Sequence, residues 1–476
     1  MRSLVWLRSD LRTIDNTALH HASQEASDGV LCVYIVSPEE WRDHEVAPVR
    51  VEFVLRTLRA LSEDLHALNI PLLVGVAERK ADVPSMLLRL AREHRCGELR
   101  FNIEYEINES RRDRRVAEAF EAAGLTVHAH HDQTVIPPDD IRTGEGRFYT
   151  VFTPYKNAWL RTLEERGGAP VLPAPRRQKP TGVARTAIPD RVEGFESGVD
   201  PSLWPAGEQV AAALLKSFCG ERIVGYADRR DFPGEPGTSR LSPYLAIGAV
   251  SARQCLTAAQ AAGGGREKGP TVWISELVWR EFYRHILVGF PRVCMGRAFK
   301  TETDALPWSY DKDQFQRWAE GRTGFPIVDA AMRQLLATGW MHNRLRMVTS
   351  MFLTKDLFID WRWGESHFMR HLIDGDLAQN NGGWQWSAST GTDAAPYFRI
   401  FNPTSQSRKF DPTGAFIRRY VPELAGLDDD DIHDPSSLPP LSRSGLDYPE
   451  PMVDHTEARD RTIQHFKDLP KRPVGR

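Results

Sequence analysis

The sequence predicts an α/β domain with a doubly wound parallel sheet, a long linker and then an all-helical domain. Three observations carry this. Short apolar runs alternate with helix-period segments over residues 1–130, prolines crowd residues 166–205, and no strand-like alternation of any length follows residue 206. The runs are Leu4–Leu7, Val30–Val36, Pro71–Val74, Leu99–Ile103 and Thr126–Ala129. Between them, Phe53, Leu55, Leu58, Leu61 and Leu65 make one helical stripe, and Met86, Leu87 and Leu90 another. Strands alternating with helices imply parallel neighbours, because a parallel pair needs a crossover. Ligands on such a Rossmann-like sheet bind beyond the carboxyl ends of the strands. The loop Arg8–Arg12 and the segment Glu104–Glu109 lie at that edge. Prolines 170, 173, 175, 180, 189, 201 and 205 forbid a continuous helix. Helical stripes then dominate, at Val210–Phe218, Trp273–Leu287 and Val328–Leu336. The expected division is 1–132, 133–205 and 206–476, without internal repeats.

Composition narrows the function. The chain has 476 residues, 41% hydrophobic, with a net charge of -3, which excludes a disordered tail or a collagen-like fibre. No apolar run reaches the roughly 18 residues of a membrane helix. The N-terminus MRSLVWLRSDLR is charged and lacks a signal peptide's apolar centre. Five cysteines, an odd number without CxxC spacing, point to a reduced cytoplasm and to neither disulfides nor zinc. Nine of the 13 tryptophans fall between residues 271 and 420, where 19 basic residues face 15 acidic ones. A basic, aromatic-rich surface suited to nucleic acid is compatible with that segment.

There is no GxGxxG and no GxxxxGK[ST], so a standard dinucleotide fold or ATPase is unsupported. Gly263–Gly265 is a flexible loop, and Asp428–Asp431 a solvated one. His128, His130 and His131 sit on a strand end without an acidic partner in sequence, so no metal is expected. Thr238, Ser239, Arg240 and the helix start at Ser242-Pro243, with Pro243 at the first helical position, can cradle a diphosphate through hydroxyls, a charge and backbone amides. An ordinary capped helix also accounts for them. Trp273, Glu276, Arg280 and Tyr283, spaced i, i+3, i+7 and i+10, share a helix face. That face is either ion-paired and exposed or a binding surface. The densest polar region is Trp340–Met347 followed by Asp374–Trp386, where carboxylates, arginines, amides and tryptophans could hold a charged ring system.

On these residues the chain resembles the DNA photolyase/cryptochrome family, most closely its bacterial class I cyclobutane pyrimidine dimer photolyases. The matching segments run nearly end to end: WLRSDLRTIDN (6–16), YEINESRRD (105–113), GTSRLSPYLAIG (237–248), ELVWREFYRHIL (276–287), GFPIVDAAMRQL (324–335), WMHNRLRM (340–347) and DGDLAQNNGGWQWSASTGTDAAPYFRIFNP (374–403). The last is the most specific.

The resemblance implies a light-driven carbon–carbon lyase that repairs UV-damaged DNA, single- or double-stranded, as a monomer without a metal. It implies FAD, reduced and anionic when active, in the helical domain. Tyr226, Thr238, Ser239, Arg240, Leu241 and Ser242 would hold its phosphates and ribityl chain. Trp273, Arg280, Arg346, Asp374, Asp376 and Asn380 would surround the rest, with Asn380 against flavin N5. Glu276, Trp279, Asn343, Met347 and Trp386 would line the cavity for a flipped-out dimer. Arg344 and Arg230 would contact flanking phosphates. Glu276, if protonated, would stabilise the dimer radical anion. Trp384, Trp361 and Trp308 would relay electrons to the flavin, Trp308 nearest the surface. Asn108 and Glu109 would bind an antenna in the cleft between the domains. 5,10-Methenyltetrahydrofolate is the first choice, although Met295 stands where folate-binding members often have Lys and so removes one charged contact, and 8-hydroxy-5-deazaflavin is the second. A cryptochrome-type photoreceptor without repair activity is the alternative. Against it stand Asn380, Met347 and a C-terminus with only 13 residues beyond the photolyase-like segment 445–463.

Overall fold

A computed structural model describes residues 1–470. Its strands are β1 (Arg2–Leu7), β2 (Val30–Val36), β3 (Leu72–Val76), β4 (Cys96–Asn102) and β5 (Thr126–His130). They form one parallel sheet in the order β3-β2-β1-β4-β5. The five expected runs are these five strands. β1 and β4 begin earlier than their apolar runs because polar Ser3 and Glu98 are buried in the sheet as well, and β3 ends later because its pairing runs on past its buried residues. β2, Val-Leu-Cys-Val-Tyr-Ile-Val, is buried at every position, as a central parallel strand covered on both faces must be. The crossovers are α1 (Thr17–Glu25), α2 (Pro48–Ala67), α3 (Val83–Glu93) and α4 (Ile107–Ala122). α3 and α4 press an apolar stripe, Val83, Leu87, Ala91, Val116 and Phe120, onto a core that includes Leu4, Trp6, Leu31, Val33 and Leu99.

The chain then forms α5 (Phe152–Glu165), an irregular stretch to residue 200, α6 (Glu208–Ser217), α7 (Ser242–Ala246), α8 (Ala252–Ala261) and α9 (Lys268–Gly289). Further on come α10 (Lys312–Ala319), α11 (Pro326–Thr338), α12 (Asn343–Met351), α13 (Trp361–His371), α14 (Leu377–Ala388) and α15 (His455–Lys467). Two compact units result. The first is Met1–Ala227, Ser239–Pro291 and Ile373–Asp376; the second is Asp228–Thr238, Arg292–Leu372 and Leu377 onward.

Within the first unit, the loop after β1 is fixed from a distance. Gly248 has φ +69°, and a Cβ there would lie 2.1 Å from the Ser9 carbonyl oxygen, so only glycine admits the loop. Arg12 donates to the Gly248 carbonyl and pairs with Asp132, while Arg253 bridges Asp132 at 2.8 Å and Asp15 at 2.9 Å. Burial opposes charge on Asp132, but Arg12 and Arg253 outweigh it and hold the carboxyl down at about 2. Removing one partner of such a buried network costs about 3–5 kcal/mol, because the others are stranded.

The second unit has its own core, which contains Trp308, Trp318, Trp361 and Trp384 together with Leu345, Phe352 and Phe368. Gly339, left-handed at φ +67°, ends α11 just before the Trp340–Met347 segment.

Two sequence readings change. Ser242 is the first residue of α7 and Pro243 the second, because Leu241 is already right-handed helical after Arg240 takes φ +56°. No side chain caps that helix, which spans only five residues. His128 does have an acidic partner: Nε2 lies 3.3 Å from Glu98 on the adjacent strand β4, a neighbour that only strand pairing reveals.

Candidate active site

In the first unit, the site residues gather on α9 and on segment 373–376. Trp273 is buried against Phe218, ring centroids 5.1 Å apart, and Phe218 meets Tyr226 edge-on at 5.8 Å. The Ser239 hydroxyl accepts from the Leu241 amide at 3.3 Å. Arg240 is exposed, with its guanidinium 4.5 Å over the Trp204 ring. Thr238 belongs to the second unit and follows Gly237, where a Cβ would lie 2.3 Å from the Arg229 carbonyl oxygen. Hydroxyls, amides, arginines and buried carboxylates together are the donor set that a dinucleotide requires, so FAD fits the residues present.

Successive turns of α9 carry Arg280 and Arg284. Arg280 donates to the Gln133 carbonyl oxygen at 2.7 Å and to the Leu245 carbonyl oxygen at 3.3 Å. Arg284 donates from Nε to the Gln133 side-chain oxygen at 3.2 Å and pairs with Asp376. Gln133 thus holds both arginines, one by its backbone and one by its amide. Burial, reinforced by the neighbouring Arg284, pulls Arg280 down to about 10. Burial also works against Arg284, but Asp376 and Glu106 keep its pKa raised. Arg284 Nη1 is buried without a hydrogen-bond partner among the described residues, as a donor turned toward a missing ligand would be. Sequence reading missed Arg284 and Gln133. The i, i+4 relation of Arg284 to Arg280 was the one signal available.

Glu276 and Trp279 are half-buried on the same helix. Phe152, from α5, backs the Trp279 ring in a parallel stack, while Phe282 meets it edge-on and Tyr283 at a tilt, each with ring centroids 5.6 Å away. Phe152 had no mark in the sequence beyond its aromatic type.

In the second unit, α12 opens with the exposed Asn343, and the preceding His342 accepts the Arg344 amide on Nδ1 at 3.1 Å. Burial pulls His342 down to about 4, which suits that acceptor role. Arg344 meets Asp231 at 2.9 Å, and Arg230 approaches the same carboxylate at 3.9 Å. Both expected phosphate contacts therefore share one acidic neighbour that sequence reading overlooked. Arg346 Nε donates to the Met341 carbonyl oxygen at 2.9 Å, while Met347 and Trp386 are half-buried. On α14, Asn380 donates its amide to the Glu365 carbonyl oxygen at 2.9 Å, which fixes the side chain's orientation. Neighbouring Asn381 donates to the Glu365 carboxylate.

The three relay candidates share one core, with exposures of 7% at Trp308, 0% at Trp361 and 1% at Trp384. Trp308 is the most exposed of the three, yet it is still covered. Gly364 lies flat under Trp384, where a Cβ would sit 2.1 Å from the indole. The indole nitrogens of Trp361 and Trp384 are buried without an acceptor among the described residues. An oxidised indole in that setting has no acceptor among the described residues to take its proton.

On the α/β sheet's carboxyl edge, Asn108 is exposed and meets His44 Nε2 at 3.1 Å, while Glu109 meets His44 Nδ1 at 3.2 Å. Burial pushes Glu109 up to about 7 and Glu106 up to about 8. Glu40, His44 and Glu109 place their ligating atoms within 4.8 Å of one another. Arg112, however, already holds Glu40 at 2.8 Å and so competes with a cation.

Residues 3–176 match the family model described as DNA photolyase, and residues 273–468 the one described as the FAD binding domain of DNA photolyase. A deoxyribodipyrimidine photo-lyase of Vibrio cholerae is 45% identical over 98% of this chain and 99% of its own length. The crystal structure of a bacterial class III photolyase from Agrobacterium tumefaciens is 33% identical, with a TM-score of 0.85 over 98% of this chain and 97% of that one. A cryptochrome structure from Synechocystis sp. PCC6803 is 27% identical, with a TM-score of 0.87 over 98% and 99%.

Proposed function

The chain belongs to the DNA photolyase family, and from that premise we propose that it is a deoxyribodipyrimidine photo-lyase, repairing cyclobutane pyrimidine dimers in light. The observation that carries this reading is the 45% identity to a protein of that name across both chains' full lengths. Cryptochrome function shares the fold, but its structural representative is the more distant in sequence, at 27%.

FAD, reduced and anionic when bound, would supply the light-driven one-electron chemistry that opening of the cyclobutane ring needs. The chain's residues bind, orient and tune. Tyr226, Thr238, Ser239, Arg240, Leu241 and Ser242 hold the phosphates and ribityl chain, and Trp273, Arg280, Arg346, Asp374, Asp376 and Asn380 enclose the rest. Glu276 and Asn343 hydrogen-bond the edges of the flipped-out dimer, Trp279 and Trp386 stack on it, and Met347 packs beside it. Arg344 and Arg230 grip the flanking phosphates, for which Asp231 stands in when DNA is absent. Trp384, Trp361 and Trp308 return oxidised flavin to its working state and take no part in repair itself.

Functionally, residues 1–132 form the antenna-binding part, 133–205 the linker, and 206–476 the FAD- and DNA-binding part. Asn108 and Glu109 hold a folate antenna of the methenyltetrahydrofolate type; a folate-like absorption band released by acid would distinguish it from a deazaflavin. Among the described residues no helix is long and apolar enough to cross a membrane, and the enzyme works as a cytoplasmic monomer.

The test is light-dependent repair. Pure, reduced protein is mixed with an oligonucleotide carrying a thymine dimer and lit with blue or near-UV light. Thymine absorbance returns in light and not in darkness. No repair with reduced FAD bound would favour a cryptochrome.

A further inference from the structure

Trp384 has a second aromatic neighbour that the relay does not use. Trp318 meets it edge-on, ring centroids 6.0 Å apart. From Trp318 the rings continue without a gap. Phe315 lies 5.5 Å from Trp318, Trp363 lies 5.3 Å from Phe315, and Tyr310 lies 5.6 Å from Trp363. Trp318 is fully buried, Phe315 and Trp363 are half-buried, and Tyr310 is 60% exposed. The Tyr310 hydroxyl donates to Asp360 at 3.1 Å. All these residues belong to the second unit.

We propose that this row is a second electron route to Trp384, running from the exposed phenol of Tyr310 through Trp363 and Trp318, with Asp360 as the proton acceptor. It rests on the reading of Trp384 as the flavin's electron donor. Indole and phenol oxidise at accessible potentials, whereas a phenyl ring does not. Phe315 is therefore the packed bridge between two tryptophans and carries no charge itself.

Three features favour the row. Trp361, the next member of the other route, has the Arg362 guanidinium 4.8 Å over its ring. Asp360 and Asp304 pair with that guanidinium at 3.1 and 3.0 Å, and the charge they leave over the ring weighs against a positive indole there. Trp318 instead donates its indole N–H to the Thr349 carbonyl oxygen at 3.1 Å, a contact that stabilises the oxidised ring. The ends of the two routes also differ in access: Trp308 is 7% exposed against 60% for Tyr310, so a reductant in solution meets Tyr310.

The step balances. One electron leaves Trp384 for light-excited, oxidised flavin, and the vacancy moves to Trp318 and then Trp363. Tyr310 fills it. Its O–H bond breaks, the proton passes to the Asp360 carboxylate, and a neutral tyrosyl radical remains. A soluble thiolate gives up one electron and leaves as a thiyl radical, which pairs with a second to form a disulfide, and Asp360 returns the proton to the phenol oxygen.

The experiment uses holoprotein with oxidised FAD, illuminated without reductant and frozen for electron paramagnetic resonance. A tyrosyl signal is expected, lost in Tyr310→Phe and in Trp363→Phe. In a Trp308→Phe background photoreduction should persist, and adding Trp363→Phe should abolish it. Chemically reduced Tyr310→Phe and Trp363→Phe proteins should still repair dimers, which shows that they are folded. A tryptophanyl signal alone, with photoreduction lost in Trp308→Phe by itself, overturns the second route and leaves the first standing. Wild-type photoreduction in Trp384→Phe overturns the donor assignment, and the second route with it.

Discussion

Phe152 lies flat on Trp279, with ring centroids 3.6 Å apart and planes 7° from parallel. A residue of α5, outside every segment that suggested a substrate cavity, thus sets the attitude of the indole expected to stack on the lesion. Replacing it with leucine removes a ring contact worth about 0.5–1.5 kcal/mol. We expect Phe152→Leu to weaken binding of dimer-containing DNA by up to about tenfold. Affinity for undamaged DNA should hold. Equal affinity for damaged DNA in variant and wild type, measured by fluorescence anisotropy, would show that Trp279 needs no support.

Glu276 is half-buried on the same helix as Trp279. In the proposed function it hydrogen-bonds the dimer as the dimer takes up charge, which would help the reacting state more than the bound one. Glu276→Ala should therefore lower repair per absorbed photon more than it lowers binding. An unchanged quantum yield would remove Glu276 from the chemistry.

Arg344 reaches Asp231 at 2.9 Å with its side chain 17% exposed. In the proposed function a DNA phosphate takes that carboxylate's place. Arg344→Gln should weaken binding to all sequences alike and reduce the slope of log K against log salt by about one. A slope unchanged within error, from titrations at several salt concentrations, would place the phosphate contact elsewhere.

Glu106 bears on pH. Burial, then Glu109 and Asp376, raise its carboxyl from 4.5 to about 8 against the opposing pull of Arg284. The folded protein therefore keeps a proton that the unfolded chain releases. The stability this gives is complete below about 4.5 and is lost as pH rises through about 8. Glu106→Gln, neutral at every pH, should make the apoprotein's melting temperature fall less steeply across that window. Parallel curves for variant and wild type would mean that Glu106 ionises as an ordinary carboxyl.

β1 and β2, in the middle of the sheet, were legible because central parallel strands are buried on both faces and appear as apolar runs, whereas the edge strand β5 is buried nowhere along its length and left only a short run. β2 illustrates this, since its observed bounds, Val30–Val36, are those of its run. The face of α9 was legible because helical spacing places Glu276 and Arg280 together whatever packs against them. The start of α7 was read one residue off, because the left-handed turn at Arg240 leaves no mark in a sequence.

What the sequence determined by itself is local periodicity and residue chemistry: sheet, helices, the long linker, and a set of carboxylates, arginines and tryptophans that resembles one family. What only the tertiary structure decided is the pairing of those groups. Arg284 with Asp376, Arg344 with Asp231, Phe152 with Trp279 and Trp318 with Trp384 are each separated by 66 or more positions along the chain. Spacing along a helix or strand fixes neighbours within a turn or two. Partners this distant are chosen by how the elements pack, through burial that leaves a charge or a ring only one place to go.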